Sequence, residues 1–163
     1  MSSASDMTGH TDERGAPARL RNLPTRLLSL VAMQSDRVVS EGLAVADSRK
    51  WHYAVLATLR EAGPVSQAEL SRRTGIYRSD IVAVINELTE RDLVERAPDP
   101  ADRRRNVITL TPRGDGHLDR LDELLAALQD EVLAPLTPAE RDQLTGLLTR
   151  LLDHLGRSHG RGA

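Results

Sequence analysis

The sequence predicts a mainly α fold of the α+β class, a winged helix-turn-helix set between longer flanking helices, and three observations predict it. Ser66-Gln67-Ala68-Glu69 has the form of a capping box, a Ser that accepts the N3 amide and a Glu that reaches back, so a short helix starts at Ser66 and ends near Arg73. Thr74-Gly75-Ile76 suits a short interhelical turn, and Ile81, Val84, Ile85 and Leu88 then recur at helical spacing over a second helix from about Arg78 to Arg91. Leu93 to Ala97 and Asn106 to Thr111 read as two strands, joined by a tip from Pro98 to Arg105 that is longer than a tight hairpin turn.

The remaining elements follow in chain order. Met1 to Arg19 is rich in Ser, Asp, Gly and Pro and has no apolar signal core, so residues 1–19 read as the disordered tail of a cytoplasmic protein. A first helix begins near Leu20 or Pro24 and runs to about Ser40, with Leu20, Leu23, Leu27, Val31 and Val38 near one stripe; Pro24 fits only in its first turn. Gly42 and Asp47-Ser48 mark a connection. A second helix from about Arg49 to Ala62 puts Tyr53, Leu56 and Leu59 on one side and stops at Gly63-Pro64, and Val65 forms a short third strand beside the hairpin. Thr111-Pro112 caps a long helix to about Leu133 that carries Leu118, Leu121, Leu124, Leu125, Leu128 and Val132. A second capping box, Thr137-Pro138-Ala139-Glu140, opens a last helix bearing Leu144, Leu147, Leu148, Leu151, Leu152 and Leu155, and residues 157–163 form a flexible tail.

Composition narrows the chemistry. At 39% hydrophobic the 163 residues suffice for one domain with a core, and with no Phe, one Trp and two Tyr that core is aliphatic. No cysteine is present, which excludes disulfides, thiolate metal sites and thiol redox sensing. The net charge of −2 conceals an uneven distribution: the acidic excess lies in the last third, while arginines gather at Arg72, Arg73, Arg78 and Arg103 to Arg105. No apolar run reaches the roughly 20 residues needed to span a bilayer. The histidines outside Trp51-His52-Tyr53 show no metal-ligand spacing, and no P-loop, nucleophile elbow or zinc-protease helix occurs, so neither an enzyme nor a cofactor is expected.

The candidate binding residues are therefore those of the reader segment. The outer face of the second short helix, with Arg78, Ser79, Asp80, Val82, Ala83 and Asn86, is short and mostly polar, of a kind that enters a major groove. Arg and Asn there can bond a purine edge bidentately, and Val82 and Ala83 can touch thymine methyls. The hairpin tip, with Asp102, Arg103, Arg104 and Arg105, cannot bury a core but can place guanidinium groups in a minor groove or on phosphates. An isolated charge run is ordinarily a solvated loop; three arginines on a long hairpin after a helix-turn-helix favour nucleic acid. Ser66, Gln67, Arg72 and Arg73 are expected at phosphates.

The order of these pieces, and above all Asp99-Pro100-Ala101-Asp102-Arg103-Arg104 followed by Leu110-Thr111-Pro112-Arg113-Gly114, resembles the MarR family of bacterial transcription regulators. The resemblance is strong from about Trp51 to Gly114 and architectural elsewhere. It implies a single unit over 20–156, with a winged helix-turn-helix over 49–114 and dimerisation helices over 20–42 and 115–156. It also places Arg104 in a minor groove, held by Asp102. One departure is Asp92, where the family usually has Gly; Asp tolerates a left-handed helix end less well, so distortion is expected there.

The leucine surplus of the last two helices argues for a partner surface, and a second copy fits best. Two recognition helices one duplex turn apart read a palindromic operator, which a single reader cannot. The expected function is a repressor that binds double-stranded DNA as a homodimer in the bacterial cytoplasm, with no membrane association. The alternative is a protein-interaction module that keeps the fold without reading sequence. For Trp51-His52-Tyr53 the ordinary role is core packing. Resemblance to relatives that bind aromatic acids offers another, in which His52 with Arg26, Gln34 and Arg37 lines a pocket for a small aromatic or phenolic effector.

Overall fold

The structure is a computed structural model and describes residues 15–159. The chain divides into two compact units, one up to Arg37 and one from Val38 onward. The tails expected over 1–19 and 157–163 lie largely outside the described residues; α1 (Ala18–Arg21) begins the described helices and α7 (Pro138–His159) ends them.

The first unit holds α1 and most of α2 (Pro24–Ala44). Of the two starts the sequence allowed, Leu20 and Pro24, α2 takes Pro24, which has no N–H to give to a continuing helix and serves as the first residue of α2, while the segment around Leu20 forms the separate short α1. Leu20, Leu23, Leu27, Leu28, Val31 and Met33 are exposed.

At its other end α2 runs through Gly42, where the sequence suggested a connection. A Cβ on Gly42 would lie 2.5 Å from both Cδ atoms of Leu128, so this glycine makes room for α6 (Pro112–Val132) instead of ending the helix. The helix closes on Asp47 at φ 56, with Ser48 N–H donating to Leu43 O (3.1 Å) and Asp47 N–H to Ala44 O (2.9 Å).

In the second unit α3 (Lys50–Ala62), α4 (Gln67–Thr74) and α5 (Arg78–Glu90) surround one core with β1 (Val65–Ser66), β2 (Val94–Pro98) and β3 (Asn106–Leu110). The sheet is antiparallel in the order β1-β3-β2, and Val65 pairs with Ile108 as the third strand the sequence anticipated. The hairpin register runs from Val94 opposite Leu110 to Pro98 opposite Asn106. Leu56, Leu59, Leu70, Val94, Ile108, Leu118 and Leu121 fill the core together with the predicted α5 stripe, Ile81, Val84, Ile85 and Leu88. Burying each such side chain contributes about 1.5–3 kcal/mol, so the stripe fixes the rotation of α5 about its axis and thereby which face is turned outward.

Helix α6 starts as its sequence requires. Thr111 Oγ1 accepts from Gly114 N–H at 2.9 Å, Pro112 follows the cap, and Gly114 lies against the Leu93 carbonyl, where a side chain would collide. For α7 the capping box is complete: Glu140 N–H donates to Thr137 Oγ1 (3.3 Å) and Thr137 N–H to Glu140 Oε2 (2.8 Å).

Candidate nucleic-acid interface

The turn between α4 and α5 is built from local hydrogen bonds around one glycine. Gly75 takes the left-handed conformation (φ 72, ψ 7) that caps α4, and Ser71 Oγ donates across the turn to Ile76 O at 2.6 Å. Ile76 is buried while its neighbour Tyr77, at the N-cap of α5, is 79% exposed. Along α5, Arg78, Ser79, Val82, Ala83 and Asn86 are exposed and Asp80 is half-buried in the first turn, where a carboxylate complements the helix dipole. The structure thus brings the six predicted recognition residues onto one helix with five exposed.

Two residues on this surface escaped the sequence reading. Tyr77 is the more exposed of the two tyrosines and stands at the entry to α5. Arg96 of β2 donates from Nη2 to Asn86 Oδ1 at 2.6 Å, tying the recognition helix to the hairpin. The available signal was strand alternation, which places Arg96 with buried Val94 on one face of β2.

The hairpin tip is ordered by its aspartates. Asp99 Oδ1 accepts from Ala101 N–H (2.9 Å), Asp102 Oδ1 from Arg104 N–H (3.1 Å), and Arg105 N–H closes the turn onto Asp102 O (2.9 Å). Asp102 therefore grips Arg104 by its backbone, and its carboxylate lies 3.7 Å from the guanidinium of Arg105. Asp102, Arg103, Arg104 and Arg105 are all exposed, and among the described residues the Arg103 and Arg104 guanidiniums have no ion-pair partner.

The expected phosphate residues behave differently. Ser66 caps α4 by accepting from Glu69 N–H at 3.2 Å, and Gln67 follows it, half-buried. Glu69 does not complete the box the sequence suggested. Ser66 also belongs to β1, opposite Val107, and the Glu69 carboxylate is held by both Arg72 and Arg73, which lowers its pKa below the ordinary value, Arg72 contributing most. Both arginines remain exposed at the surface of α4 while paired.

Of the aromatic cluster only His52 is buried. Trp51 is 43% exposed, contrary to a core role, because the core-facing side of α3 is taken by Val55, Leu56 and Leu59, and Tyr53 lies at the core's edge donating to Asp122 Oδ1 at 2.9 Å. His52 Nδ1 accepts from Arg49 N–H (3.2 Å), so the proton sits on Nε2 and is donated to Glu87 Oε2 (2.8 Å) on α5. Burial lowers the pKa of His52, outweighing the opposing bond to Glu87. Nearby, Ser48 Oγ and His117 Nε2 are 2.8 Å apart, and burial followed by Arg91 lowers the pKa of His117. Ala44, Asp47, Ser48, Arg49, His52, Glu87, Glu90 and Arg91 line a cleft of about 380 Å³. Arg26, Gln34 and Arg37 belong to the first unit. Among the described residues no cluster of His, Asp and Glu is suited to a metal ion, and no helix is long and apolar enough to cross a membrane.

The model of the MarR family matches residues 47–105, the stretch from the end of α2 to the tip of the hairpin. The HTH-type transcriptional repressor NicR of Pseudomonas putida is 33% identical over 101 residues, 62% of this chain and 64% of that one, so the match spans just under two thirds of this curated relative. Among solved structures, a probable transcriptional regulator from Pseudomonas aeruginosa superposes with a TM-score of 0.72 at 30% identity, over 82% of this chain and 99% of that one. BpsR of Bordetella bronchiseptica, whose DNA binding is regulated by 6-hydroxynicotinic acid, superposes with a TM-score of 0.74 at 25% identity, over 85% and 99%.

Proposed function

Since the chain belongs to the MarR family, we propose that it is a sequence-specific DNA-binding transcription regulator and not an enzyme. In this reading it is a repressor that occupies a palindromic operator as a homodimer in the bacterial cytoplasm and is released by a small aromatic acid. One observation carries the reading: the polar face of α5 and a hairpin tip whose Arg103 and Arg104 guanidiniums have no ion-pair partner among the described residues are exposed on the same module. Arg78 offers the fork that bonds guanine O6 and N7, and Val82 and Ala83 offer methyls to thymine. Arg104 suits the negative potential of a narrow minor groove, with Arg103 and Arg105 suited to phosphates. Ser66, Gln67, Arg72 and Arg73 lie on or beside α4 and fit the flanking backbone.

The homodimer is supported by apolar surface that a monomer leaves in water. Leu147, Leu148, Leu151, Leu152 and Leu155 are exposed along α7, Leu152 by 70%, and the α2 leucines add to them. Sedimentation at micromolar concentration is expected to give a dimer, and a monomer contradicts it. For the effector, the cleft at His52 has a ligand-sized volume, about 380 Å³, and carries Arg91 for a carboxylate, with Arg49 beside it already paired to Glu87. Both NicR and BpsR are regulators, and the named BpsR effector is an aromatic acid.

Binding of the purified chain to duplex from upstream of its own gene, against a scrambled duplex at several salt concentrations, tests the proposal. Saturable preference for the upstream sequence is expected, and Arg104→Ala is expected to weaken it by about 1–3 kcal/mol. Weak, salt-sensitive binding that ignores sequence would favour a protein-interaction module instead.

A further inference from the structure

We propose that Arg96 is a positioning residue that sets the base preference of Asn86, so that Asn86 selects guanine or thymine in the major groove and not adenine. The inference rests on the reading of the chain as a DNA-binding regulator. It starts from a constraint of chemistry. A guanidinium carries five N–H donors and no acceptor, so the amide atom facing Arg96 Nη2 at 2.6 Å is the oxygen of Asn86. The orientation of this amide is fixed by its partner.

That orientation decides what the side chain presents. Recognition of adenine by asparagine uses both ends of the amide on one base edge, Oδ1 accepting from the N6 amino group and Nδ2 donating to N7. Here Oδ1 is turned to β2 and bonded to a cation, so the Nδ2 end of the amide, with its two hydrogens, is the part free to meet a base. The adjacent positive charge also disfavours bringing a further donor such as the adenine amino group to Oδ1. Donors alone match guanine, with acceptors at O6 and N7, and thymine, with an acceptor at O4; adenine offers only N7 beside its own amino donor, and cytosine only an amino donor.

The fold holds Arg96 in place for this. Register sets it opposite Ile108, which is buried, and on the face of β2 shared with buried Val94. Asn86 is exposed one turn along α5 from Val82 and Ala83, on the outward face. Among the described residues Arg96 has no carboxylate partner to draw it away, and a charge-assisted hydrogen bond to the amide is stronger than a neutral one.

Selection from a randomised duplex pool, with the full chain and its N86A, R96A and R96K variants, tests the inference, thermal melting confirming that each is folded. The position that N86A flattens is expected to be guanine or thymine in the unsubstituted chain, with cytosine depleted about tenfold. R96A frees the amide to turn over and is expected to move that same position to adenine, leaving other positions unchanged. R96K retains an N–H donor and is expected to keep guanine or thymine. Adenine at that position in the unsubstituted chain, an unchanged preference in R96A, or no position flattened by N86A overturns the inference while leaving a sequence-reading regulator standing. No enriched motif at all overturns both.

Discussion

Gly114→Ala should destabilise this chain although it places a better helix former inside a helix. A Cβ at Gly114 would overlap the carbonyl oxygen of Leu93 and sit 2.8 Å from Leu110 Cδ1 and 2.9 Å from the Leu93 carbonyl carbon, so the obstruction is mostly backbone. Relief requires the start of α6 to move away from the base of the hairpin. That junction is made by Thr111 N–H to Leu93 O (3.2 Å), Thr111 Oγ1 to Asp92 O (2.6 Å) and Gly114 N–H to Thr111 Oγ1 (2.9 Å). Overpacking costs about 1–3 kcal/mol and a weakened N-cap about 1 kcal/mol, against a gain of about 1 kcal/mol in helix propensity. The net is a loss of about 2 kcal/mol, or a fall of about 4–8 °C in Tm for a chain of this size. Gly116→Ala supplies the control, since a Cβ there meets nothing within 4 Å and the propensity gain is uncompensated, raising Tm by about 2–4 °C. Thermal melts of both variants at one chain concentration decide the matter. A Gly114→Ala protein as stable as the parent refutes the steric argument.

Four further outcomes follow from the structure. Lowering the pH below the ordinary histidine value of 6.5 should reduce Tm, because His52 and His117 have depressed pKa values when folded and the unfolded chain therefore takes up protons first; stability is complete above 6.5 and is lost towards the lower folded values. Melts between about pH 5 and 8 should show this slope diminished in His52→Gln. Asp92→Gly should raise stability by about 0.5–1 kcal/mol in denaturant titration, by relieving a left-handed Asp at φ 56. Glu69→Gln should release Arg72 and Arg73, tighten DNA binding and steepen its logarithmic salt dependence by about 1–2, one for each arginine newly able to displace a counterion.

What the sequence revealed and what it concealed divide along the range of the interactions concerned. The α5 stripe and the caps at Thr111 and Thr137 are set by residues within a few positions of one another, and each formed where expected. Gly42 misled because its reason is Leu128, far along the chain on α6, and only packing shows that a glycine there admits a neighbour. Asp92 misled differently. The chain accepts the left-handed residue and completes a regular closure of α5, Leu93 N–H to Leu88 O (2.9 Å) and Asp92 N–H to Thr89 O (3.0 Å), so the expected distortion is absent. Glu69 was legible in principle, since Arg72 and Arg73 stand three and four residues on, the spacing at which helical ion pairs form. Arg96 required the register of β2 against β3 before its reach to Asn86 could be seen.

The pairing of charges explains how a chain of net charge −2 can present a surface suited to a polyanion. Its arginines are not equivalent. Arg49, Arg60, Arg72, Arg73 and Arg141 are each held by carboxylates of the same chain, so bringing them to phosphate means sharing or breaking an existing ion pair. Arg103 and Arg104 have no such competitor among the described residues, and the aspartate between them and the strand spends its carboxylate on backbone and on Arg105. A phosphate or minor groove approaching the hairpin gains the whole interaction of an uncommitted guanidinium, whereas one approaching α4 gains only the difference from Glu69. On this reasoning the wing should dominate the salt-sensitive part of binding despite supplying few residues, and α4 should contribute mainly by orienting the module on the backbone.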